Sequence, residues 1–165
     1  MFEYQWNNNE ANFGPPISGE VHNGTHITFD ILLKKGDTYF ALRRHCIPGH
    51  DVPPEGEGQL FLCHNLIRYG EPIADCIQRI VQEQSGVSVL SYSIIDIRSL
   101  TMEQSGGKKI TQWALTPFVI AEVDSVPVPG VYGNEVLEVV SFTTDNVPTD
   151  FAFGKAKVIA YYLTF

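Results

Sequence analysis

The chain has 165 residues, of which 44% are hydrophobic, 12% aromatic and 18% charged. This length and apolar share predict one folded domain rather than two domains or a disordered chain. Lysine and arginine total 11 against 19 aspartate and glutamate, so the net charge is −8. That charge argues against binding to a nucleic acid polymer or to an anionic membrane surface. No apolar run reaches about 18 residues, so we expect no membrane-spanning helix.

The cysteines indicate the compartment. Cys46, Cys63 and Cys76 are odd in number and form no CxxC pair, and the first residues carry neither a basic patch nor an apolar run. These features favour the reducing cytoplasm. Three histidines lie near two of the cysteines, but the spacing matches no tight zinc motif, so no zinc is expected.

The first half of the chain contains an arm, a hairpin and a loop. Residues 1–24 mix aromatic residues with asparagine, glycine and proline, which predicts an irregular arm that docks on the domain or on a second copy of the chain. Residues 25–44 are two β-rich runs around a Lys-Gly-Asp turn, which is typical of a hairpin. The proline- and glycine-rich residues 45–58 predict a loop. A homodimer is therefore among the expected partners.

The second half predicts the remaining elements. Two short strands are expected at residues 59–63 and 66–68, separated by His64 and Asn65. Apolar residues at three- and four-residue steps predict a helix over residues 71–85, ended by Gly86. Further predicted elements are strands at 87–101, 108–123 and 136–142, and a helix within 150–165. This order indicates an α/β (α+β) domain over residues 25–165.

The segment from residue 62 to 87 carries the most specific pattern. Its spacing resembles the box of the Nudix hydrolase family, G-x5-E-x7-R-E-U-x-E-E-x-G-U, in which U is a bulky aliphatic residue. The positions that match are Glu71, Arg79, Val81, Glu83, Gly86 and Val87. The positions that depart are Asn65 for glycine, Ile80 for glutamate and Gln84 for glutamate. The resemblance implies a mixed β-sheet sandwiched between helices.

The resemblance also implies a chemistry. Nudix enzymes cleave a pyrophosphate bond in nucleoside diphosphate derivatives with Mg²⁺ or Mn²⁺ held by helix carboxylates. In this chain the corresponding helix face reads Ile80, Glu83 and Gln84, so its formal charge falls from −3 to −1. Weak metal binding is therefore expected, with Glu83 and Gln84 as the metal ligands that remain.

Roles carried over from the family fall on eight positions besides the metal ligand Gln84. Glu83 and the loop residue Glu135 are the candidate catalytic residues. Glu71, Arg79 and Gly86 have the structural role of fixing the loop against the helix. The candidate ligand-binding residues are Arg43, Arg44 and Asn65.

Three hypotheses follow from the altered box. In the first, the protein binds a nucleotide or a nucleoside-diphosphate-linked ligand with impaired or lost hydrolysis. In the second, it is an active Nudix hydrolase with a modified metal site that recruits Glu83, Gln84 and Glu135. In the third, it is a non-catalytic interaction protein whose former cleft is filled by its own side chains.

Overall fold

A seven-stranded mixed β-sheet with a helix on each face forms the centre of the molecule. The computed structural model describes residues 25–45, 56–68, 70–103, 110–129 and 135–164. The predicted arm at residues 1–24, most of the predicted loop at 45–58 and the turn between the two long strands lie outside these residues. The predicted α+β class and the predicted sandwich of a mixed sheet between helices are confirmed.

The strands and helices occur in the order β, β, β, β, α, β, β, β, α along the described residues. The strands are β1 (Thr25–Lys35), β2 (Thr38–Arg44), β3 (Leu60–Phe61), β4 (Cys63–Leu66), β5 (Val89–Glu103), β6 (Ile110–Val123) and β7 (Val136–Phe142). The helices are α1 (Ile73–Ser85) and α2 (Lys155–Tyr162), and a short 3₁₀ helix (Ala152–Gly154) precedes α2. No helix in this described part is long and apolar enough to cross a membrane.

Strand β1 is the central strand. The sheet order is β3-β2-β1-β6-β5, with β4 also paired to β1 and β7 also paired to β2. The β1–β6 pair is parallel and the other pairs are antiparallel, which makes the sheet mixed. Because β1 has a neighbour on both edges and a helix over each face, its middle residues Ile31, Leu32 and Leu33 are apolar and buried on both faces of the sheet.

Each face of the sheet has its own core. On the face that we call the α1 face, Phe29 and Ile31 of β1 pack with Ile77 and Ile80 of the helix. On the opposite face, the α2 face, Leu32 of β1 belongs to the cluster around Ile159 of α2 and Phe118 of β6. Alternation along β1 therefore places its single carboxylate, Asp30, on the α2 face.

The structure corrects one expectation about the elements and confirms another. His64 and Asn65 do not separate two strands, because they lie inside β4 and pair with Asp30 and Phe29 of β1. Pairing with the central strand outweighs the low strand preference of these polar residues. The C-terminal helix α2 lies within residues 150–165 as predicted, and it begins after Phe153 and Gly154, which have positive φ angles of 57° and 67°.

The box helix ends where the sequence predicts. Gly86 has φ 71°, and its N–H donates to the Gln82 carbonyl at 3.0 Å. A positive φ costs glycine least, so this residue closes the helix. At the other end, Pro72 caps α1 with extended backbone, so the helix starts two residues later than predicted.

Candidate functional site

Glu71 and Arg79 tie the segment before α1 to the middle of the helix. Glu71 accepts from Arg79 Nε at 2.6 Å and from Nη2 at 2.8 Å, and its Oε2 also accepts from the Arg68 N–H at 2.9 Å. Arg79 Nη2 additionally donates to the Leu66 carbonyl at 2.9 Å. The hydrogen bonds from Arg79 lower the pKa of Glu71 to about 2, and Glu71 in turn raises the pKa of Arg79. These contacts fit the structural role that the resemblance implies.

Gln84 is fully buried and hydrogen-bonds to strand β4 through both ends of its amide. Its Oε1 accepts from the His64 N–H at 2.9 Å, and its Nε2 donates to the His64 carbonyl at 2.7 Å. A glutamate at this position could make the first bond, but when ionised it has no N–H for the second. The neutral side chain therefore joins α1 to β4 by a contact that needs no cation.

The other two positions of the expected metal face diverge. Ile80 is fully buried in the core of the α1 face. The Glu83 side chain is 33% exposed and lies 3.4 Å from Arg79 Nη1 and 3.7 Å from Arg68 Nη2. The side chain of Ile80 thus lies in the core, that of Glu83 lies beside two guanidiniums, and that of Gln84 is bonded to the backbone of His64. The three side chains do not surround a common centre.

A divalent metal ion does not fit this arrangement. Mg²⁺ demands a near-octahedral set of oxygen ligands. The Gln84 Oε1 atom already accepts from the His64 N–H, and the His64 carbonyl already accepts from Gln84 Nε2. Glu83 lies beside the guanidiniums of Arg79 and Arg68. Within the described ranges, no group of three or more His, Cys, Asp or Glu side chains could hold a metal ion.

Arg44 and Glu135 form a buried ion pair. The Arg44 Nη2 atom lies 2.5 Å from Glu135 Oε1, and the two side chains are 1% and 0% exposed. The Arg44 guanidinium also lies over the Phe61 ring, 5.3 Å from its centroid. The ion pair joins the end of β2 to the segment just before β7. A backbone hydrogen bond adds to it there, because the His45 N–H donates to the Glu135 carbonyl at 2.7 Å. The structure thus brings a predicted ligand-binding residue and a predicted catalytic residue together as each other's partners.

Arg43 and Asn65 also have partners within the chain. Arg43 donates to Glu138 at 2.7 Å and to the Gly58 carbonyl and Asp150 at 2.8 Å each. Asn65 Oδ1 accepts from the Leu66 N–H at 2.7 Å. The three predicted ligand-binding residues therefore have separate sets of partners.

The thiol of Cys63 lies in the core of the α1 face. The side chain is buried, and burial raises its pKa to about 12. Of the other residues considered for zinc, Cys46 and His50 lie outside the described residues, whereas His45 bonds to Glu57 and His64 to Asp30.

A cluster of charged side chains surrounds Asp30 on the α2 face. Asp30 is fully buried and bonds to His64 Nδ1 at 2.9 Å, to Lys155 Nζ at 2.6 Å and to Arg98 Nη2. Burial alone would raise the pKa of Asp30, but Lys155 and His64 outweigh it and hold that pKa well below its usual range. Four different elements of the fold supply this cluster.

Sequence reasoning missed three of these four residues. Asp30 did carry a signal, because it is the one charged residue in the apolar run Phe29–Leu33, and a buried charge is rare unless it is paired. Arg98 and Lys155 carry none, because nothing in their local sequence shows that β5 and α2 meet at Asp30. His64 is, in the sequence, only one of the three histidines near the cysteines and a residue between two predicted strands.

A groove of about 760 Å³ lies apart from this cluster. It is lined by residues of β1, β2, β7 and the segment after β6, including Lys35, Phe40, Pro127 and Val139. Of the carboxylates and cations discussed above, none but Glu138, a partner of Arg43, belongs to its lining. The groove is therefore separate from the positions of the box.

Solved structures of Nudix proteins resemble the chain. The MutT NUDIX hydrolase from Burkholderia pseudomallei has a TM-score of 0.64 at 12% identity, over 84% of this chain and 98% of that one. The mutator MutT protein from Bacillus halodurans has a TM-score of 0.65 at 15% identity, over 85% and 83%. The NUDIX domain of Shewanella oneidensis NrtR, complexed with ADP ribose, has a TM-score of 0.61 at 14% identity, over 86% and 87%.

Sequence comparison adds no closer relationship. No family model matches the chain, and no curated protein matches it. At 12% to 15% identity, the likeness to these structures shows the fold alone. The strand order, the two helices and these structural relatives together show that the chain has the Nudix fold.

Proposed function

We propose that the protein binds a nucleotide-type ligand and does not hydrolyse it by the metal-dependent route of Nudix enzymes. The observation that carries this proposal is the buried Gln84 amide, which holds both the N–H and the carbonyl of His64. A position that would ligate a cation in the family is here part of the folded framework.

The positions around Gln84 support the same conclusion. Replacing Ile80 by a metal ligand would remove a side chain from the α1-face core, so the apolar residue is part of the packing. Glu83 retains a carboxylate, but the guanidiniums of Arg79 and Arg68 already balance its negative charge. A divalent cation at Glu83 would meet two guanidiniums at close range, which opposes its binding.

The class of ligand follows from the fold and from one structural relative. The NUDIX domain of Shewanella oneidensis NrtR forms a complex with ADP ribose. A nucleotide-type ligand is therefore the class to test first, although a shared fold does not by itself transfer a function.

Active hydrolysis with Glu83, Gln84 and Glu135 is the alternative that the structure favours less. Glu135 is buried against Arg44 and Gln84 against His64, so neither is available to activate water without breaking an internal contact. A purely structural interaction protein on this scaffold is a further alternative, and the same experiment separates all three.

The experiment measures binding and turnover together. The melting temperature is recorded with ADP ribose, ADP and a nucleotide sugar, first with EDTA and then with Mg²⁺ or Mn²⁺, because a ligand that prefers the native state must stabilise it. We expect a saturable rise that EDTA does not remove, and no release of phosphate-containing product. The Glu83→Gln variant should bind as the wild type does, like its control Asp75→Asn, which alters an exposed carboxylate of the same helix.

Two results would overturn the proposal. Metal-dependent product release that Glu83→Gln abolishes and Asp75→Asn retains would establish the active hydrolase. If no nucleotide at saturating concentration shifts the melting temperature, the interaction protein would be the hypothesis that stands.

We also propose that the protein is located in the cytoplasm. Cys63 and Cys76 are both free and both buried. Free thiols suit a reducing compartment, which supports the cytoplasm as the location. The docking arm at residues 1–24 and the homodimer stay predictions.

A further inference from the structure

The cluster around Asp30 is assembled from distant parts of the chain. Asp30 of β1 pairs directly with His64 of β4. Lys155 is the first residue of α2, and Arg98 belongs to β5, which is separated from β1 by β6. Arg98 thus extends across the α2 face of β6 to reach the Asp30 carboxylate. The tertiary fold brings three basic side chains to one point.

The cluster contains more positive than negative charge. One carboxylate faces an arginine, a lysine and a histidine, which leaves a surplus of +1 when the imidazole is neutral. Asp96 on β5 is exposed, accepts a hydrogen bond from the Tyr162 hydroxyl, and its pKa is lowered by that bond and by the charge of Arg98. The surplus of positive charge therefore belongs to the groups that contact Asp30 directly, and Asp96 offsets part of it at the edge of the cluster.

Solvent reaches the basic groups but not the acid. The side chains of His64, Lys155 and Arg98 are 32%, 20% and 19% exposed, whereas that of Asp30 is 1% exposed. An anion that approaches the α2 face therefore meets cations first. Asp30 holds them in place from below, and its charge is directed away from the solvent.

Two polar groups beside the cluster have no partner within the described part of the chain. They are Nε of Arg98 and Oγ1 of Thr28, a residue that is 5% exposed and lies two positions before Asp30 on the same face of β1. Both groups can donate a hydrogen bond, and the fold leaves this capacity unused next to the basic side chains.

We propose that His64, Arg98 and Lys155 form a binding site for a phosphate or pyrophosphate group on the α2 face of the sheet. The arginine fork and the lysine ammonium suit an anion with several oxygens and more than one charge. These cations supply the positive charge that a metal ion supplies elsewhere, so binding requires no metal. The site makes the proposed function more specific. Its assignment to the phosphates of a nucleotide rests on that proposed function.

The test uses inorganic pyrophosphate as the probe. Its dissociation constant is measured by calorimetry on the full chain with EDTA, at constant ionic strength set with chloride. Lys155→Met and Arg98→Met should each weaken binding at least about tenfold, because a charge-assisted hydrogen bond is lost. Lys157→Met, an exposed lysine on the same helix, is the matched control and should change the constant less than about twofold.

Parallel titrations with ADP and with adenosine separate this site from the proposed function. ADP binding that Lys155→Met weakens, with adenosine bound poorly, supports both. Pyrophosphate binding without ADP binding keeps the site and overturns the nucleotide. ADP binding that neither variant weakens overturns the site and keeps the nucleotide, and no binding of either probe to the wild type overturns both. Because the wild-type titration decides by itself whether the anion binds, a variant that fails to fold does not protect the proposal.

Discussion

The two faces of the sheet treat their charged residues differently. On the α1 face, Glu71 is paired with Arg79, and Gln84, an expected metal ligand, is neutral and bonded to backbone. On the α2 face, Asp30 alone holds three basic groups that remain partly open to solvent. The box helix therefore keeps the contacts that fold it, while the basic groups suited to an anion lie on the opposite face.

The difference shows that the two parts of a functional motif can separate. Glu71, Arg79 and Gly86 hold the loop and end the helix through short-range contacts, which persist whatever the metal positions contain. Positions 80 and 84 are packed against the rest of the domain, so an apolar or neutral residue there is stabilising by itself. A recognisable box is thus a guide to this helix and a weaker guide to its chemistry.

Substituting Asp30 should lower the free energy of unfolding most, because it removes the carboxylate that holds the basic groups of the α2 face. Asp30→Asn leaves Arg98 and Lys155 close together without their counter-charge, and removing one partner of a buried ion pair costs about 3 to 5 kcal/mol. Urea denaturation measures the loss. Asp96→Asn, on the exposed part of β5, should change the midpoint much less.

The same variant sharpens the anion proposal. Pyrophosphate should raise the stability of Asp30→Asn more than that of the wild type, because the anion replaces the missing carboxylate between the cations. An equal rise in both proteins would show that the anion binds away from Asp30.

Gln84→Glu should have the next largest effect and tests the α1 face. The new carboxylate cannot donate to the His64 carbonyl, and burial disfavours its charge, so we expect a loss of about 2 to 3 kcal/mol at neutral pH. Burial raises the pKa of a carboxyl group, so the variant should regain stability relative to the wild type as the pH falls.

The control for this change is Gln82→Glu, which places the same carboxylate on the exposed side of α1. Denaturation of both variants with and without Mg²⁺ completes the comparison. Selective rescue of Gln84→Glu by Mg²⁺ would mean that the α1 face can still hold a metal and that our account of its geometry is wrong.

Glu71→Gln should have the smallest of the three effects, about 2 kcal/mol at neutral pH, because the amide keeps some hydrogen bonds to Arg79. The pKa of Glu71 falls from an ordinary 4.5 to about 2 in the folded chain. Its contribution is therefore fully present above pH 4.5 and is lost as the pH falls towards 2.

Denaturation at several pH values checks the prediction. The difference in unfolding free energy between the wild type and Glu71→Gln should shrink across that acid range, and Asp75→Asn on the exposed helix surface should not reproduce it. A difference that stays constant down to pH 2 would contradict the ion pair as its source.

Local patterns were sufficient for most of the elements. The hairpin around Gly36, the strand β7 and the helix ended by Gly86 follow from alternation, helical spacing and turn residues, all of which act within a few positions. The prediction failed at His64 and Asn65, which looked like a break between strands. Their conformation is set by pairing with β1, and that partner lies more than thirty positions away.

The sequence by itself determined helix α1 and its end at Gly86, because helical spacing and a C-terminal glycine act over a few positions. The structural role of Glu71 and Arg79 is what the resemblance to the Nudix box implied. Only the tertiary structure decided which side chains meet at Asp30 and that Arg44 pairs with Glu135. Those contacts depend on the order of strands in the sheet and on the return of α2 to its second face. Ion pairs form wherever opposite charges are brought together, so distant charged residues carry no local signal of their partner before the chain has folded.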